Sequence, residues 1–132
     1  MRHLHLDVNS DPVSLAPVRK AIEAYAAECG YDAKAVGEIG LVVNEAMANI
    51  TRHAYSGAID KPIVIEADFA DDLLQVTLRD WGNGRDPSTI PIKRDPLTPG
   101  GLGMICLRRM MNEVTFSPQR DGMLLTLKRR KS

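Results

Sequence analysis

The sequence has no excess charge of either sign, because its 132 residues carry 17 Lys and Arg against 17 Asp and Glu. A chain that mainly coats nucleic acid or an anionic membrane usually carries a strong positive excess. The charge balance therefore argues against both roles, and we expect neither nucleic acid nor a membrane as a direct partner. The basic end KRRKS is interpreted as a solvated terminus.

Cysteine is scarce, and long apolar runs are absent. Cys29 and Cys106 have the spacing of neither a disulfide framework nor a zinc site, so we expect two reduced, buried thiols. No apolar run approaches the about 18 residues that a membrane span needs, and the N-terminus has no apolar signal core. These absences predict a soluble cytoplasmic protein. The length predicts a single domain over residues 1–132.

Alternating apolar residues predict several short strands. HLHLDV at 3–8 is one of them, and the segments 63–69 and 73–80 are expected to pair as an antiparallel hairpin through an acidic turn. VTFS at 114–117 and GMLLTLKRR at 122–130 predict a closing pair of strands.

Apolar residues at spacings of three and four predict helices between these strands. Asp11 or Ser14 can open a first helix, and Asp32 is a suitable N-cap for a second helix at about 33–54. GLGMICLRRMMNEV, residues 101–114, is expected to form a third helix. The predicted fold is an α+β two-layer sandwich, with a mixed, mostly antiparallel sheet and three main helices on one face.

The second helix carries an unusual polar stripe in NEAMANITRHAY, residues 44–55. Glu45, Asn49 and His53 are spaced by four, so a regular helix places them on one side. A solvated face, or a core position for His53, would explain each residue alone. The intervening residues are small or apolar, however, which would let a ligand pack close: Ala46, Ala48 and Ile50.

A second motif, DWGNG at 80–84, ends the strand at 73–80. Asp80 shares the parity of the apolar strand residues and is therefore expected at the edge of the core. A buried carboxylate needs hydrogen bonds, which could come from a turn of the protein or from N–H groups of a ligand. Gly82 and Gly84 allow the backbone to turn tightly and approach a ligand, although an ordinary Asp-Gly turn is an alternative explanation.

A third motif, PGGLGM at 99–104, precedes the third helix. Gly101, Leu102, Gly103 and Met104 would expose backbone N–H groups at the positive end of that helix, which is a suitable phosphate site. A glycine hinge at a helix start is the alternative. The pattern is neither a Walker A loop nor a Rossmann fingerprint. The segment 81–100 is rich in proline and glycine, which predicts a long functional or mobile loop.

Together these motifs resemble the N, G1 and G2 boxes of the Bergerat-fold ATPases, the superfamily often called GHKL. Within it, EAMANITRHAY, DWGNGRDP and GLGMICLRRMMNEV are most similar to the anti-sigma-factor serine/threonine kinases. The resemblance covers nearly the whole chain. No histidine-bearing dimerisation helix is present, which disfavours a complete sensor kinase.

The resemblance implies a role for each box. Asn49 would bind the Mg²⁺ that bridges the phosphates of ATP or ADP, with Glu45 as general base toward an acceptor hydroxyl. Asp80 would bind the adenine amino group, and Gly101 and Gly103 would bind phosphate through their N–H groups. The other predicted nucleotide contacts are His53, Gly82, Gly84, Leu102 and Met104, and the segment at about 81–100 would be the ATP lid.

The resemblance also implies an activity. The chain would be an ATP-dependent serine/threonine kinase that phosphorylates an anti-anti-sigma protein with a STAS domain, sequesters a sigma factor and forms a homodimer. The alternatives are a nucleotide-binding partner switch without kinase activity and a stand-alone ATPase domain of a signalling complex. Two residues depart from the family pattern: Arg85, where an aromatic residue is common, and Met123, where threonine often supports the adenine.

Overall fold

The computed structural model describes residues 3–84 and 103–131, with side chains for all of them except 103–106. A 3₁₀ turn at Pro12–Ser14 precedes the first helix, and a π-helical turn at Ile50–Ala54 follows the second. The main elements are β1 (Leu4–Asn9), α1 (Leu15–Glu28), α2 (Ala33–Asn49), β2 (Pro62–Ala70), β3 (Leu73–Asp80), α3 (Gly103–Met110), β4 (Glu113–Pro118) and β5 (Met123–Arg130).

The strands form one sheet in the order β1-β2-β3-β5-β4, and each neighbouring pair is antiparallel. Residues of one parity are buried on β2, β3 and β5, and they form a single core with the apolar faces of α1 and α2. The residues between them lie on the opposite, more exposed face of the sheet. This arrangement confirms the predicted α+β sandwich of a sheet and three helices.

Local sequence signals account for the turns. Asp71 and Asp72 join β2 to β3 with φ values of 53° and 58°, and aspartate tolerates this left-handed conformation better than most residues. The Asp32 carboxylate accepts a hydrogen bond of 2.8 Å from the Ala35 N–H and caps α2, as predicted. Asp11 caps the 3₁₀ turn rather than α1, which begins at Leu15.

The third helix is shorter than predicted. It ends at Met110, whereas the predicted helix reached residue 114. Asn112 explains this end: its N–H donates to the Lys128 carbonyl over 2.8 Å, and its side-chain oxygen accepts from the Arg130 N–H over 2.7 Å. These bonds draw the chain into the sheet, where β4 begins at Glu113.

The Cys29 thiol is free and buried, as expected, and burial raises its pKa. The Cys106 side chain lies outside the described residues. In the part of the chain that the structure describes, no helix has the length and apolar character of a membrane span.

Candidate functional site

The end of α2 carries the predicted polar stripe. Glu45 is half-buried on the helix, and Asn49, its last residue, is only 6% exposed. His53 is half-buried and lies in the π-helical turn, where the Tyr55 N–H donates to the Ile50 carbonyl over 3.0 Å. This turn is wider than an α-helical one. A spacing of four therefore does not by itself align His53 with Glu45 and Asn49.

A small cavity lies beside Asn49, between the end of α2 and the adjoining ends of the strands. Its volume is about 20 Å³, which is enough for about one water molecule. The lining includes two of the predicted site residues together with two of the small or apolar residues of the stripe. The lining residues are Ala46, Asn49, Ile50, Ala54, Asp80, Leu107, Phe116, Met123 and Leu125.

Asn49 has a polar group that its described surroundings do not use. No hydrogen bond of its side-chain amide is found among residues 3–84 and 107–131, although the residue is almost fully buried. Buried amides in folded proteins nearly always have partners. An amide that lines a cavity without one is suited to contact a ligand.

Asp80 reaches the same cavity from the end of β3 and is 3% exposed. Its carboxylate accepts hydrogen bonds from the N–H of Gly82, over 2.9 Å, and from that of Met123. Burial raises the pKa of this carboxyl, while the two backbone bonds and Arg79 oppose the rise. Asp80 thus accepts hydrogen bonds from a turn of the protein, which is one of the two explanations that the sequence left open. It also lines the cavity.

The raised pKa of Asp80 predicts a pH-dependent stability difference. The folded-state pKa lies above that of the unfolded chain, about 3.9, so ionisation of Asp80 favours unfolding. The stability that protonated Asp80 provides below about pH 4 is lost as the pH rises through the folded-state pKa. The difference between the unfolding free energies of the parent and of Asp80→Asn should therefore decrease as the pH rises from 4 to 7. Urea unfolding of both proteins at pH 4 and at pH 7 measures this difference. The same difference at both pH values would contradict the prediction.

The residues after Asp80 contact the π-helical turn rather than open space. A Cβ on Gly82 would lie 2.4 Å from the Ala54 carbonyl oxygen, so only glycine fits there. The Asn83 N–H donates to the same oxygen over 3.1 Å, and the Asn83 side chain donates to the His53 carbonyl over 2.8 Å. Carbonyls at the end of a helix lack partners within it. The DWGNG turn supplies these partners and fixes the end of the helix against β3.

Tyr55 is a residue of this site that sequence reasoning did not identify. Its hydroxyl donates to the Pro62 carbonyl and accepts from the Trp81 N–H over 2.8 Å. It therefore joins the start of β2 to the residue that follows Asp80. The sequence gives no signal for these partners, because both are backbone groups, 7 and 26 residues from Tyr55 along the chain.

Gly84 and Gly122 complete the turn region. Gly84 has a φ of +71°, which agrees with a backbone role for this glycine. Gly122 has a φ of +101°, and a Cβ there would lie 2.1 Å from the Asp80 carbonyl oxygen. The residue before β5 is thus in close contact with the end of β3.

The phosphate-side predictions are only partly described. Gly101 and Leu102 lie outside the described residues, as do Arg85 and most of the predicted lid. Gly103 is the first residue of α3. Met104 lies in the same helix, and its side chain is among those not described.

Comparison with known proteins identifies similar chains. The model of the family described as "Histidine kinase-like ATPase domain" matches residues 8–129. The serine-protein kinase RsbW of Listeria innocua is 27% identical over 120 residues, which cover 84% of this chain and 75% of that protein. RsbW of Bacillus subtilis is 26% identical over 121 residues, covering 85% and 76%.

The fold has solved counterparts. The structure of the RsbU and RsbW domains of a Mycobacterium tuberculosis protein matches with a TM-score of 0.74 and 21% identity, covering 98% of this chain but 32% of the solved one. The histidine kinase domain of a blue-light-activated kinase from Erythrobacter litoralis matches with a TM-score of 0.59 and 19% identity, covering 91% and 60%. At these identities the likeness concerns the fold.

Proposed function

Because the chain belongs to the family of histidine-kinase-like ATPase domains, we propose that it is an ATP-dependent serine/threonine protein kinase of the anti-sigma-factor type. Its substrate is a small anti-anti-sigma protein with a STAS domain, and it sequesters a sigma factor. The similarity to serine-protein kinases named RsbW supports this assignment. In this proposal, residues 1–132 form one ATPase domain, and the protein acts as a homodimer.

The observation that carries the proposal is the convergence of Asn49 and Asp80 on one cavity. The two residues come from different elements, and the resemblance to the Bergerat-fold ATPases implies a metal ligand for Asn49 and an adenine ligand for Asp80. Both are nearly fully buried, and both line the same small space. That space is far smaller than the about 300–1,000 Å³ of typical ligand pockets. We therefore assign it to the inner end of the nucleotide site.

The residues present suit a magnesium nucleotide. Asn49 offers a neutral amide oxygen that no described residue engages, and Mg²⁺ takes oxygen ligands from one or two side chains together with phosphates and waters. When bound, Mg²⁺ neutralises the charge of the phosphates. Asp80 contributes a carboxylate oriented by two backbone N–H groups, which is suited to accept from an exocyclic amine. The predicted phosphate contacts are Gly101 and Gly103, and Leu102 and Met104 are further predicted nucleotide contacts.

Glu45 is the proposed general base. It lies one helical turn before Asn49, is half-buried, and forms no ion pair or hydrogen bond within residues 3–84 and 107–131. In the proposed step, the acceptor hydroxyl oxygen forms a bond to the γ-phosphorus of ATP as the bond to the bridging oxygen of ADP breaks. The hydroxyl proton passes to the Glu45 carboxylate. Such transfer depends mainly on positioning and charge stabilisation.

Replacing Glu45 with glutamine should remove phosphotransfer but keep nucleotide binding. General-base catalysis contributes about 10²- to 10⁴-fold, so the single-turnover rate of phosphate transfer from labelled ATP to a STAS protein should fall by that factor. The calorimetric Kd for ATP should stay within about twofold, because the change alters no nucleotide contact in this proposal.

Glu38→Gln is the matched control, since Glu38 lies on the same helix and pairs with Arg129 over 3.2 Å, away from the cavity. It should transfer phosphate at the parent rate. Equal rates for Glu45→Gln and the parent would rule out Glu45 as the base. ATP binding by the parent without transfer to any STAS protein would favour the binding module over the kinase.

A further inference from the structure

A cluster of metal-ligating side chains lies on the sheet face opposite the helices. His3 precedes β1, His5 lies within it, and Glu66 lies on β2 directly opposite His5 in the strand register. Residues two apart on a strand point to the same face, so both imidazoles stand beside the Glu66 carboxylate. One ligand atom from each of the three residues lies within 4.8 Å of the other two.

The distances within the cluster are short. His5 Nδ1 lies 2.9 Å from Glu66 Oε1, and His3 Nε2 lies 3.8 Å from Glu66 Oε2. Asp68 is a neighbour from the same strand, with its Oδ1 2.6 Å from His3 Nδ1. Asp7 Oδ2 lies 3.0 Å from His5 Nε2. Each imidazole thus has carboxylates on both sides.

We propose that His3, His5 and Glu66 form a zinc-binding site that joins β1 to β2. Two imidazoles with one carboxylate is a ligand set that Zn²⁺ accepts, with a fourth position for water or a further carboxylate. Asp68 is the nearest candidate for that position. Imidazole nitrogens suit zinc, whereas Mg²⁺ prefers oxygens. The site is therefore chemically different from the proposed nucleotide site and lies on the other face of the sheet.

Binding requires only small side-chain movements. With metal–ligand bonds of about 2.0–2.2 Å, ligand atoms around one tetrahedral zinc stand about 3.3–3.6 Å apart. The observed separations all lie within 4.8 Å. The side chains of His3 and His5 are 46% exposed and that of Glu66 is 41% exposed, so rotation can close this gap without moving the core.

The site has a structural consequence for the edge of the sheet. Among the described residues, strand β1 is an edge strand that pairs only with β2. A metal held by both strands would fix this terminal strand in register. Because a ligand that binds only the folded state stabilises it, zinc should raise the midpoint of thermal unfolding.

Zinc titration of the full chain, prepared without a histidine tag or nucleotide, tests the proposal. The parent should bind one Zn²⁺ per chain. His5→Gln and Glu66→Gln should each weaken binding by at least about tenfold, and His3→Gln combined with His5→Gln should abolish both the binding and the zinc-dependent rise in the thermal midpoint. His53→Gln is the matched control, since it removes the third histidine, which lies in the π-helical turn and outside the cluster, and it should bind zinc as the parent does.

Three results would overturn the site. The first is no saturable binding of zinc to the parent, which would leave the cluster as exposed histidine–carboxylate pairs. The second is binding that survives the double histidine variant. The third is one zinc per two chains, since the geometry places all three ligands within one chain. Circular dichroism of each variant without zinc checks that its fold is intact, which these exposed positions lead us to expect.

Discussion

Asn49→Ala should weaken binding of ATP in the presence of Mg²⁺ by about 10- to 150-fold and leave binding without Mg²⁺ nearly unchanged. The expected loss corresponds to about 1.5–3 kcal/mol, the usual contribution of a hydrogen bond or equivalent polar contact to a charged group. In the proposed site, the Asn49 amide oxygen binds the Mg²⁺ and does not contact the adenine. Titration calorimetry with and without Mg²⁺ separates these contributions.

Asn44→Ala is the matched control for this experiment. Asn44 lies on the same helix, is half-buried, and is not part of the cavity lining. Its replacement should leave both Kd values within about twofold of the parent values. An Asn49→Ala protein that binds Mg²⁺-ATP as tightly as the parent would contradict the metal role. Absence of any ATP or ADP binding by the folded, nucleotide-free parent would contradict the nucleotide site itself.

Gly122→Ala should lower the free energy of unfolding by about 2–6 kcal/mol, the largest effect on stability among the glycine variants proposed for this chain. The left-handed φ of +101° costs about 1–3 kcal/mol for a residue other than glycine. The added methyl group would lie 2.1 Å from the Asp80 carbonyl oxygen and 2.6 Å from the Trp81 Cα. Such overpacking typically costs a further 1–3 kcal/mol. The free energy of unfolding in urea measures the sum.

Two glycines of the same chain separate the two causes. Gly57 has a φ of +87°, but apart from its chain neighbours no atom of residues 3–84 and 103–131 lies within 4 Å of a Cβ built on it, so Gly57→Ala should show only the backbone cost. Gly37 lies in α2 with the same free space and no positive φ, and Gly37→Ala should raise stability by about 0.5–1 kcal/mol. If Gly122→Ala is no more destabilising than Gly57→Ala, the close contact with Asp80 does not constrain the strand end.

Residue periodicity predicted most of the fold because each local signal agreed with its tertiary environment. The alternation in β2 and β3 has one buried parity, and Asp32 caps α2 as its position suggested. The end of α3 could not be predicted in the same way. Met111 continues the helical pattern, but the two hydrogen bonds between Asn112 and β5 determine where β4 begins.

The candidate site was predictable where a motif names its own residues. Asn49 and Asp80, which stand in two different motifs, both line one small cavity, and their roles toward a nucleotide stay predictions. The π-helical turn after Asn49 was not predictable, because its Ala54 and His53 carbonyls accept hydrogen bonds from Asn83, which is distant along the chain. The partners of Tyr55 and the lining residue Phe116 arise from packing between distant segments, which leaves no pattern in a single sequence.

The strand pairing around Asp80 has a consequence for folding kinetics. Strands β2 and β3 form a tight hairpin, whereas the β3–β5 pair that opposes Asp80 to Met123 brings together segments separated by α3 and β4. Contacts between distant segments form slowly because loop closure opposes them. We expect the β3–β5 pairing, which forms one wall of the proposed nucleotide site, to be incomplete in the transition state for folding. Bound ATP should then slow unfolding while leaving the refolding rate almost unchanged.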